Sequence, residues 1–262
     1  VEETAEQMVT RQALEEWNVE EVYDGKMQER LKQQFYYQYP YRDLEGKKLK
    51  YTVSELKKRA YLAEEAGELP YEDEPVVPLI PRFLQGEEEI TGAPRGTAYH
   101  RVMELLDFTK EYDLEGTEAA IEKMCESGRI AGEMAESVRP KDILNFVNTS
   151  SGRRMKQAAE ADKLWKEQPF VLGIPARDIY PEMTEEDETM LVQGIIDVCF
   201  EEDGELVVLD YKTDKIWSEQ KLLEKYQSQL EYYARALEQI TGKKVREKII
   251  YSFTMQRELA WK

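Results

Sequence analysis

Two apolar segments that each carry charged residues constrain this chain most. Gly194–Phe200 and Leu206–Lys212 are rich in β-branched residues, and an Asp-Gly pair lies between them. This pattern predicts a β-hairpin. The first strand contains Asp197, and the second contains Asp210 and Lys212. Because burying a charge is costly unless it is paired or binds a metal, these three residues predict a divalent-metal site.

The register of the hairpin decides how these side chains meet. If Asp203–Gly204 form the turn, Asp197 lies directly opposite Asp210, with Cβ atoms about 4.5–5.5 Å apart. If the turn is one residue earlier, the two carboxylates are diagonal neighbours instead. Since side chains alternate between faces along a strand, both registers place Asp197, Asp210 and Lys212 on one face. The spacing leaves the choice between the two registers open.

The charge of the chain bounds its partners. A net charge of -18 argues against a free-standing nucleic-acid binder, which usually has a basic face. Local basic runs such as Lys57-Lys-Arg59 are either solvated surface, which is the commoner case, or contacts to DNA. If the substrate is DNA, we expect most of the affinity to come from elsewhere in a longer protein, and a chain that begins at Val1 suggests an excised piece. No apolar run approaches the ~20 residues of a membrane span, and no secretory signal is present, which favours a cytoplasmic protein.

The remaining segments predict an α/β fold in which helices surround a mixed central sheet. Residues 1–49 are predicted to form a helical extension, and residues 50–262 the main domain. Further helices are predicted at 97–108, 116–127, 130–138, 140–148, 153–166 and 218–240, and further strands at 168–173 and 245–253.

Polar residues near the hairpin have competing interpretations. Gln229 and Tyr233 are neighbours on one helix face, either as a rim and a core residue or as groups that meet a phosphate or the hairpin. His100 is the only histidine. It is either a structural or surface residue or a third metal ligand, and Glu104 one turn later either assists it or forms a salt bridge. Imidazole suits Mn²⁺ better than Mg²⁺.

Several motifs together resemble a known family. Gly194-Ile-Ile-Asp197, Asp210-Tyr-Lys212 and Gln229-Leu-Glu-Tyr-Tyr233 resemble the PD-(D/E)XK nuclease domain of RecB-type helicase–nucleases. Gly96-Thr-Ala-Tyr-His100 is similar to the histidine motif of the same domain, and Ser54-Glu-Leu-Lys-Lys58 is similar to the AddA-type subunits of bacterial AddAB enzymes. Each motif alone is weak, but their order around a strand–turn–strand–helix is specific. The resemblance spans about residues 50–255 and implies a restriction-endonuclease-like fold.

The resemblance also implies roles for individual residues. The implied metal ligands are His100, Asp197, Asp210 and the backbone carbonyl of Tyr211. Lys212 would position or help deprotonate the attacking water and stabilise charge on the phosphate. Gln229 and Tyr233 would support the site and the DNA strand. The implied cofactor is Mg²⁺, with Mn²⁺ as the alternative. Ile196 stands where the family name has proline, a departure that is common in this family.

The implied activity is hydrolysis of single-stranded DNA supplied by a helicase amino-terminal to this chain, in double-strand break repair and recombination in the bacterial cytoplasm. The implied partner is an AddB-like subunit. AddB subunits hold an iron–sulfur cluster with four cysteines, whereas this chain has only two cysteines, which favours the AddA side. One alternative is an inactive nuclease-like module that binds DNA or docks another subunit. The other is a stand-alone exonuclease, against which the acidic charge argues.

Overall fold

The computed structural model describes residues 24–37, 48–64, 95–180 and 189–262. The chain divides into two units, Val1–Lys47 and Lys48–Lys262. In the first unit, helix α1 (Gly25–Phe35) begins at Asp24, whose side chain accepts two backbone hydrogen bonds, and none of its residues is buried. Most of the predicted helical extension lies outside the described residues, and the predicted boundary after residue 49 stays a prediction.

The second unit contains alternating helices and strands. In chain order its described elements are β1 (Lys50–Thr52), α2 (Val53–Glu64), α3 (Arg95–Leu105), α4 (Leu114–Glu126), α5 (Gly132–Ser137), α6 (Pro140–Val147), α7 (Ser150–Glu160), β2 (Leu164–Pro175), β3 (Thr189–Glu202), β4 (Glu205–Lys212), α8 (Glu219–Thr241), β5 (Val245–Ser252) and β6 (Arg257–Trp261). Among the described helices, none is long and apolar enough to cross a membrane.

Two predicted helices are too long, and the helix predicted over 97–108 ends at Leu105. The prediction over 153–166 is wrong beyond Glu160, where α7 ends. Asp162 has a positive φ of 56° and turns the chain away from the helix axis. The residues from Leu164 then form the first half of β2, which pairs antiparallel with β3. Pairing with β3, rather than the local sequence, determines the structure of this segment.

The six strands form one mixed sheet in the order β1-β3-β4-β5-β6, with β2 paired to β3. β2 follows one edge of β3 along most of its length. The other edge of β3 pairs with β1 at Leu191–Gln193 and with β4 at Val198–Glu202. Between these two stretches, at residues 194–197, the ladder on that edge is interrupted. The predicted mixed sheet flanked by helices is confirmed.

The hairpin has the first of the two predicted registers. Glu202 pairs with Glu205, and the ladder continues to Val198 and Leu209, the step before the two aspartates. The turn residues Asp203 and Gly204 have φ values of 52° and 85°. Positive φ at both positions matches the right-handed twist of a two-residue hairpin. This register places Asp197 and Asp210 at opposing positions on the same face of the sheet.

Helices cover both faces of the sheet. On one face, α3–α7 enclose a core that contains Tyr99, Phe146 and Phe253, together with alternate residues of β3, β4 and β5. On the opposite face, which carries the two aspartates, α8 buries Tyr226, Leu230 and Tyr233 and contacts α2. α2 begins with a capping box, in which the Thr52 hydroxyl accepts from Glu55 N–H and the Glu55 carboxylate accepts from Thr52 N–H.

The close approach of α7 to the end of α6 gives a test of the packing. A Cβ at Gly152 would lie 2.4 Å from the carbonyl oxygen of Phe146 and 2.6 Å from that of Val147. We expect Gly152→Ala to lower the free energy of unfolding by about 1–3 kcal/mol in urea titrations, because backbone must move. Gly132→Ala in α5 is the matched control, since a Cβ there meets no atom within 4 Å. Equal stability of the two variants would contradict this helix packing.

Candidate active site

The ladder between β3 and β4 ends at Val198 and Leu209, and we call the point beyond it the split between β3 and β4. Three predicted ligand groups are in contact there. At the end of the ladder, the backbone N–H of Tyr211 donates to the Asp197 carboxylate at 2.9 Å. His100 reaches the same point from α3, with Nδ1 3.2 Å from Asp197 Oδ2 and Nε2 3.0 Å from the carbonyl oxygen of Tyr211. An imidazole, a carboxylate and a backbone carbonyl therefore meet where the two strands separate.

The contacts of His100 define its charge. Burial opposes the charged ring, but the Asp197 carboxylate, with Asp210 contributing, raises the pKa of His100 to about 9. Both ring nitrogens face acceptors, which suits an imidazolium that donates from each of them. Burial by itself would raise the pKa of Asp197, but His100 and Lys212 hold it below its ordinary value. The two side chains consequently form a partly buried ion pair at neutral pH, in which Asp197 is the more buried partner.

Asp210 forms the second half of the site. Its side chain is fully buried. Lys212 Nζ lies 2.9 Å from Oδ2, and Gln229 Nε2 lies 3.4 Å from Oδ1. Burial raises the pKa of Asp210 to about 7 although Lys212 acts in the opposite direction. Oδ2 is buried without an aligned hydrogen bond, so this oxygen has capacity for a further ligand.

Gln229 and Tyr233 are joined on α8 as their spacing predicts. Gln229 Nε2 donates to the Tyr233 hydroxyl at 2.6 Å. Both residues are buried, with 7% and 4% of their surface exposed, so the interpretation of Gln229 as a rim residue is wrong. The Tyr233 ring packs edge-on against Phe170, with centroids 5.7 Å apart. Gln229 Oε1 has no hydrogen-bond partner. A buried unsatisfied acceptor costs about 1–3 kcal/mol, which favours a role at the site.

Glu167 was not predicted from the sequence. It lies in β2 with a positive φ of 51°, between two residues that pair with β3, and this places it opposite Asp197. One carboxylate oxygen of Glu167 and ligand atoms of His100 and Asp197 all lie within 4.8 Å of one another. A correct prediction of β2 would have identified Glu167, because the strand register alone puts Glu167 beside Asp197.

Two roles were predicted for Glu104, assistance to His100 or a salt bridge, and the structure shows the salt bridge. Its carboxylate lies 2.6 Å from Arg101 Nη1 in an ion pair along α3. Arg101 also donates to the carbonyl oxygen of Arg129 at 3.2 Å, which fixes the pair to the following helix connection. Among the described residues, the group of candidate ligands around His100 contains Glu167 rather than Glu104.

The donor set fits a divalent cation. It offers one imidazole nitrogen, carboxylate oxygens and one backbone carbonyl oxygen. Oxygen ligands suit Mg²⁺ and Mn²⁺, and the imidazole favours Mn²⁺ of the two. Asp210 Oδ2 is buried and accepts no well-aligned hydrogen bond. This is the observation of the structure that best matches a cation site. A site of this composition suits hydrolysis of a charged ester, because Lys212 adds a fixed positive charge next to the carboxylates.

Comparison with known proteins agrees with the motifs. The family model of the PD-(D/E)XK nuclease superfamily matches residues 58–259. The A-type subunit of an ATP-dependent helicase/nuclease from Clostridium novyi (strain NT) is 36% identical over 230 residues, which cover 84% of this chain and 18% of the relative. The protein of the same name from Acetivibrio thermocellus is 38% identical over 222 residues, which cover 82% of this chain and 17% of the relative.

The match and the site support each other. The matched residues include the hairpin, α8 and the helix that carries His100. The chain spans less than a fifth of the length of these two relatives. The resemblance to nuclease domains of AddA-type proteins is thus confirmed, and the chain belongs to the PD-(D/E)XK nuclease superfamily.

Proposed function

We propose that this chain is a metal-dependent nuclease domain that hydrolyses phosphodiester bonds of single-stranded DNA. The observation that carries the proposal is the junction of His100, Asp197 and the Tyr211 carbonyl where β3 and β4 separate. Asp210 and Lys212 lie beside it on the same face of the hairpin. The inactive-module alternative is disfavoured, because every acidic and basic group that the reaction needs is present.

The proposed roles follow from the contacts. The metal would be held by His100, Asp197, Asp210 and the Tyr211 carbonyl, with the Glu167 carboxylate next to them. A divalent metal, when bound, supplies a water of lowered pKa and neutralises charge on the phosphate.

The protein groups around this centre have separate tasks. Lys212 orients or helps to deprotonate the attacking water and stabilises the negative charge that develops on the phosphate. Gln229 holds Asp210 and Tyr233 in position through its amide group. Tyr233 is buried behind Gln229 and would support the site and the DNA strand through this hydrogen bond.

The biological context is proposed from the relatives. Their name joins a helicase to a nuclease, and this chain corresponds to a small share of their length. We propose that it acts as an exonuclease on strands unwound by a helicase in the same polypeptide, with an AddB-like partner subunit. Its role would be in double-strand break repair and recombination, in the bacterial cytoplasm where the chromosome lies.

Cleavage of end-labelled oligonucleotides tests this function. We expect the chain to cut a single-stranded oligonucleotide in Mg²⁺ or Mn²⁺ and to stop in EDTA, because the metal supplies the attacking water. It should cut the matching duplex at least about tenfold more slowly, because a duplex must first be unpaired and unstacked to present one strand. Equal cutting of the two substrates would contradict the proposed substrate. Cutting that continues in EDTA would contradict the metal.

Metal binding is expected to release protons. Since the pKa of His100 is about 9, its ring is protonated at pH 7.5, and it must lose one proton to become a ligand. Apparent Mn²⁺ affinity should therefore rise by up to about tenfold per pH unit between pH 7 and 9. Calorimetry in two buffers of different ionisation enthalpy measures the release. About one proton is expected from the wild type and much less from His100→Gln. Equal proton release by the two proteins would show that His100 is not a ligand.

A further inference from the structure

Two arginines at the starts of two helices share one buried carboxylate. Arg139 directly precedes α6, and its Nε and Nη2 each lie 2.9 Å from Asp142 Oδ2. Arg95 is the first residue of α3, and its Nη2 lies 3.6 Å from the same oxygen. We call Arg95 and Arg139 the arginine pair. Because two guanidinium charges face one carboxylate, this cluster has an excess of positive charge.

The arginine pair is open to solvent, whereas its carboxylate partner is not. The side chains of Arg95 and Arg139 are 36% and 68% exposed, and that of Asp142 is 7% exposed. Each guanidinium has several N–H donors, and Asp142 Oδ2 also accepts from the Tyr99 hydroxyl at 2.6 Å, so this oxygen cannot accept from all of them. The exposed donors can therefore bind an anion from solvent without the opening of a cleft.

The start of α3 places Arg95 beside the proposed catalytic centre. A Cβ at Gly96, the next residue, would lie 3.2 Å from Thr213 Oγ1, so the helix start packs against the residue that follows Lys212. From Arg95 to the candidate ligand His100, α3 rises by only about 7.5 Å along its axis. A strand bound at the metal centre is therefore within a few nucleotides of Arg95.

Tyr99 fixes the start of α6 at the same end of the sheet. Its ring packs against Phe253 with centroids 4.6 Å apart, and the Phe253 N–H donates to the carbonyl oxygen of Lys212 at 2.8 Å. The Tyr99 hydroxyl donates to Asp142 and accepts from the backbone N–H of Arg139 at 3.2 Å. Both members of the arginine pair are consequently held next to the end of β4 that carries the catalytic lysine.

We propose that the arginine pair binds a backbone phosphate of the single DNA strand, a few nucleotides from the bond that is cut. The proposal rests on the proposed nuclease function and extends it, because it assigns strand positioning to the starts of α3 and α6. Arginine frequently binds phosphate through two parallel hydrogen bonds, and such contacts position a strand without reading its bases. The pair also supplies local positive charge to a chain whose net charge of -18 repels DNA.

The test is the salt dependence of binding to a fluorescent single-stranded oligonucleotide, measured by anisotropy in EDTA. Loss of one phosphate contact reduces the slope of log Kd against log salt by about 0.7 for single strands. We expect a reduction of this size for Arg95→Gln, with binding about fivefold weaker at ~0.1 M salt. Arg95→Lys should keep the wild-type slope, because it keeps the charge. Arg139→Gln is the second neutral variant and should also reduce the slope.

The matched control is Arg246→Gln. The Arg246 side chain is 30% exposed, and it pairs with Glu202 and Asp203 beside the hairpin turn, at the end of β4 opposite to Lys212. This variant loses the same charge and should keep the wild-type slope. An equal reduction of the slope in Arg246→Gln would show a general charge effect and would overturn the proposal.

The alternative is an arginine pair that only joins α3 to α6. In that case Arg95→Gln and Arg139→Gln would lower the melting temperature and leave the salt slope unchanged. That result, or the absence of DNA binding by wild type at low salt, would overturn the proposal. The nuclease function is judged separately, because the binding readout needs no cleavage. Cutting by wild type in Mn²⁺ with unchanged slopes would refute the phosphate contact alone, and reduced slopes without cutting would refute the nuclease function.

Discussion

Replacement of Lys212 by glutamine is expected to lower the rate of DNA cleavage by about 10²–10³-fold with little loss of metal affinity. The Lys212 ammonium group lies 2.9 Å from Asp210, and only 6% of the surface of the residue is exposed, so the charge acts in a site of low dielectric where it has a large effect. It is not a metal ligand, and its removal leaves the Asp210 carboxylate more basic. Single-turnover cleavage and Mn²⁺ calorimetry on the same sample separate the two effects.

Lys248→Gln is the control for loss of a buried lysine, because Lys248 is 8% exposed and pairs with Glu231 of α8. Lys248 pairs with Val208 across the β4–β5 ladder, on the same face of the sheet as Asp210 but outside the site. This variant should cleave at the wild-type rate. A cleavage rate of Lys212→Gln within about threefold of wild type would exclude Lys212 from the reaction.

Asp197→Asn is expected to have the second large effect, because Asp197 connects three parts of the site. Its carboxylate contacts His100 and accepts the Tyr211 N–H. Loss of this charge should weaken Mn²⁺ binding by at least about 100-fold and reduce cleavage by at least about 10³-fold, since a metal contributes several kcal/mol to such reactions.

The same substitution changes the charge state of His100. After burial, which acts in the opposite direction, Asp197 is the main cause of the raised pKa of His100. Without metal, the pKa of His100 should fall from about 9 towards or below the ordinary ~6.5. His100 is the only histidine, so its NMR resonance is unambiguous. Asp142→Asn is the control. Asp142 is similarly buried, but its carboxylate accepts a hydrogen bond from the Tyr99 hydroxyl instead of contacting His100. An unchanged pKa of His100 in Asp197→Asn would contradict this account of the centre.

The hairpin was the most predictable part of the fold. The Asp203–Gly204 pair predicts the hairpin, and both possible registers place Asp197 and Asp210 on one face, whereas the choice between the registers required the structure. The contact between Gln229 and Tyr233 on α8 was equally predictable, because residues four apart on a helix are neighbours on its surface. His100 required the family resemblance, since it is distant in sequence from the hairpin and only the tertiary fold brings it to Asp197.

The unpredicted features depend on tertiary contacts. Glu167 follows a lysine and precedes Gln168-Pro169, a polar sequence with no strand pattern, and pairing with β3 makes it part of β2. Lys57 belongs to a basic run that is typical of exposed surface, but only 8% of its surface is exposed, and its ammonium group lies 4.1 Å from the centroid of the Tyr226 ring of α8. Short edge strands such as β1 (Lys50–Thr52) have too few residues to show alternation.

The central claim is that this chain uses the split between β3 and β4 as a metal-dependent nuclease centre. The most direct test compares wild type with Asp210→Asn in cleavage of a single-stranded oligonucleotide in Mn²⁺. Circular dichroism and melting temperature establish that the variant is folded. The account predicts cutting by wild type and a loss of at least about 10³-fold in the variant. Equal cutting by the two proteins, or no cutting by wild type, would contradict it.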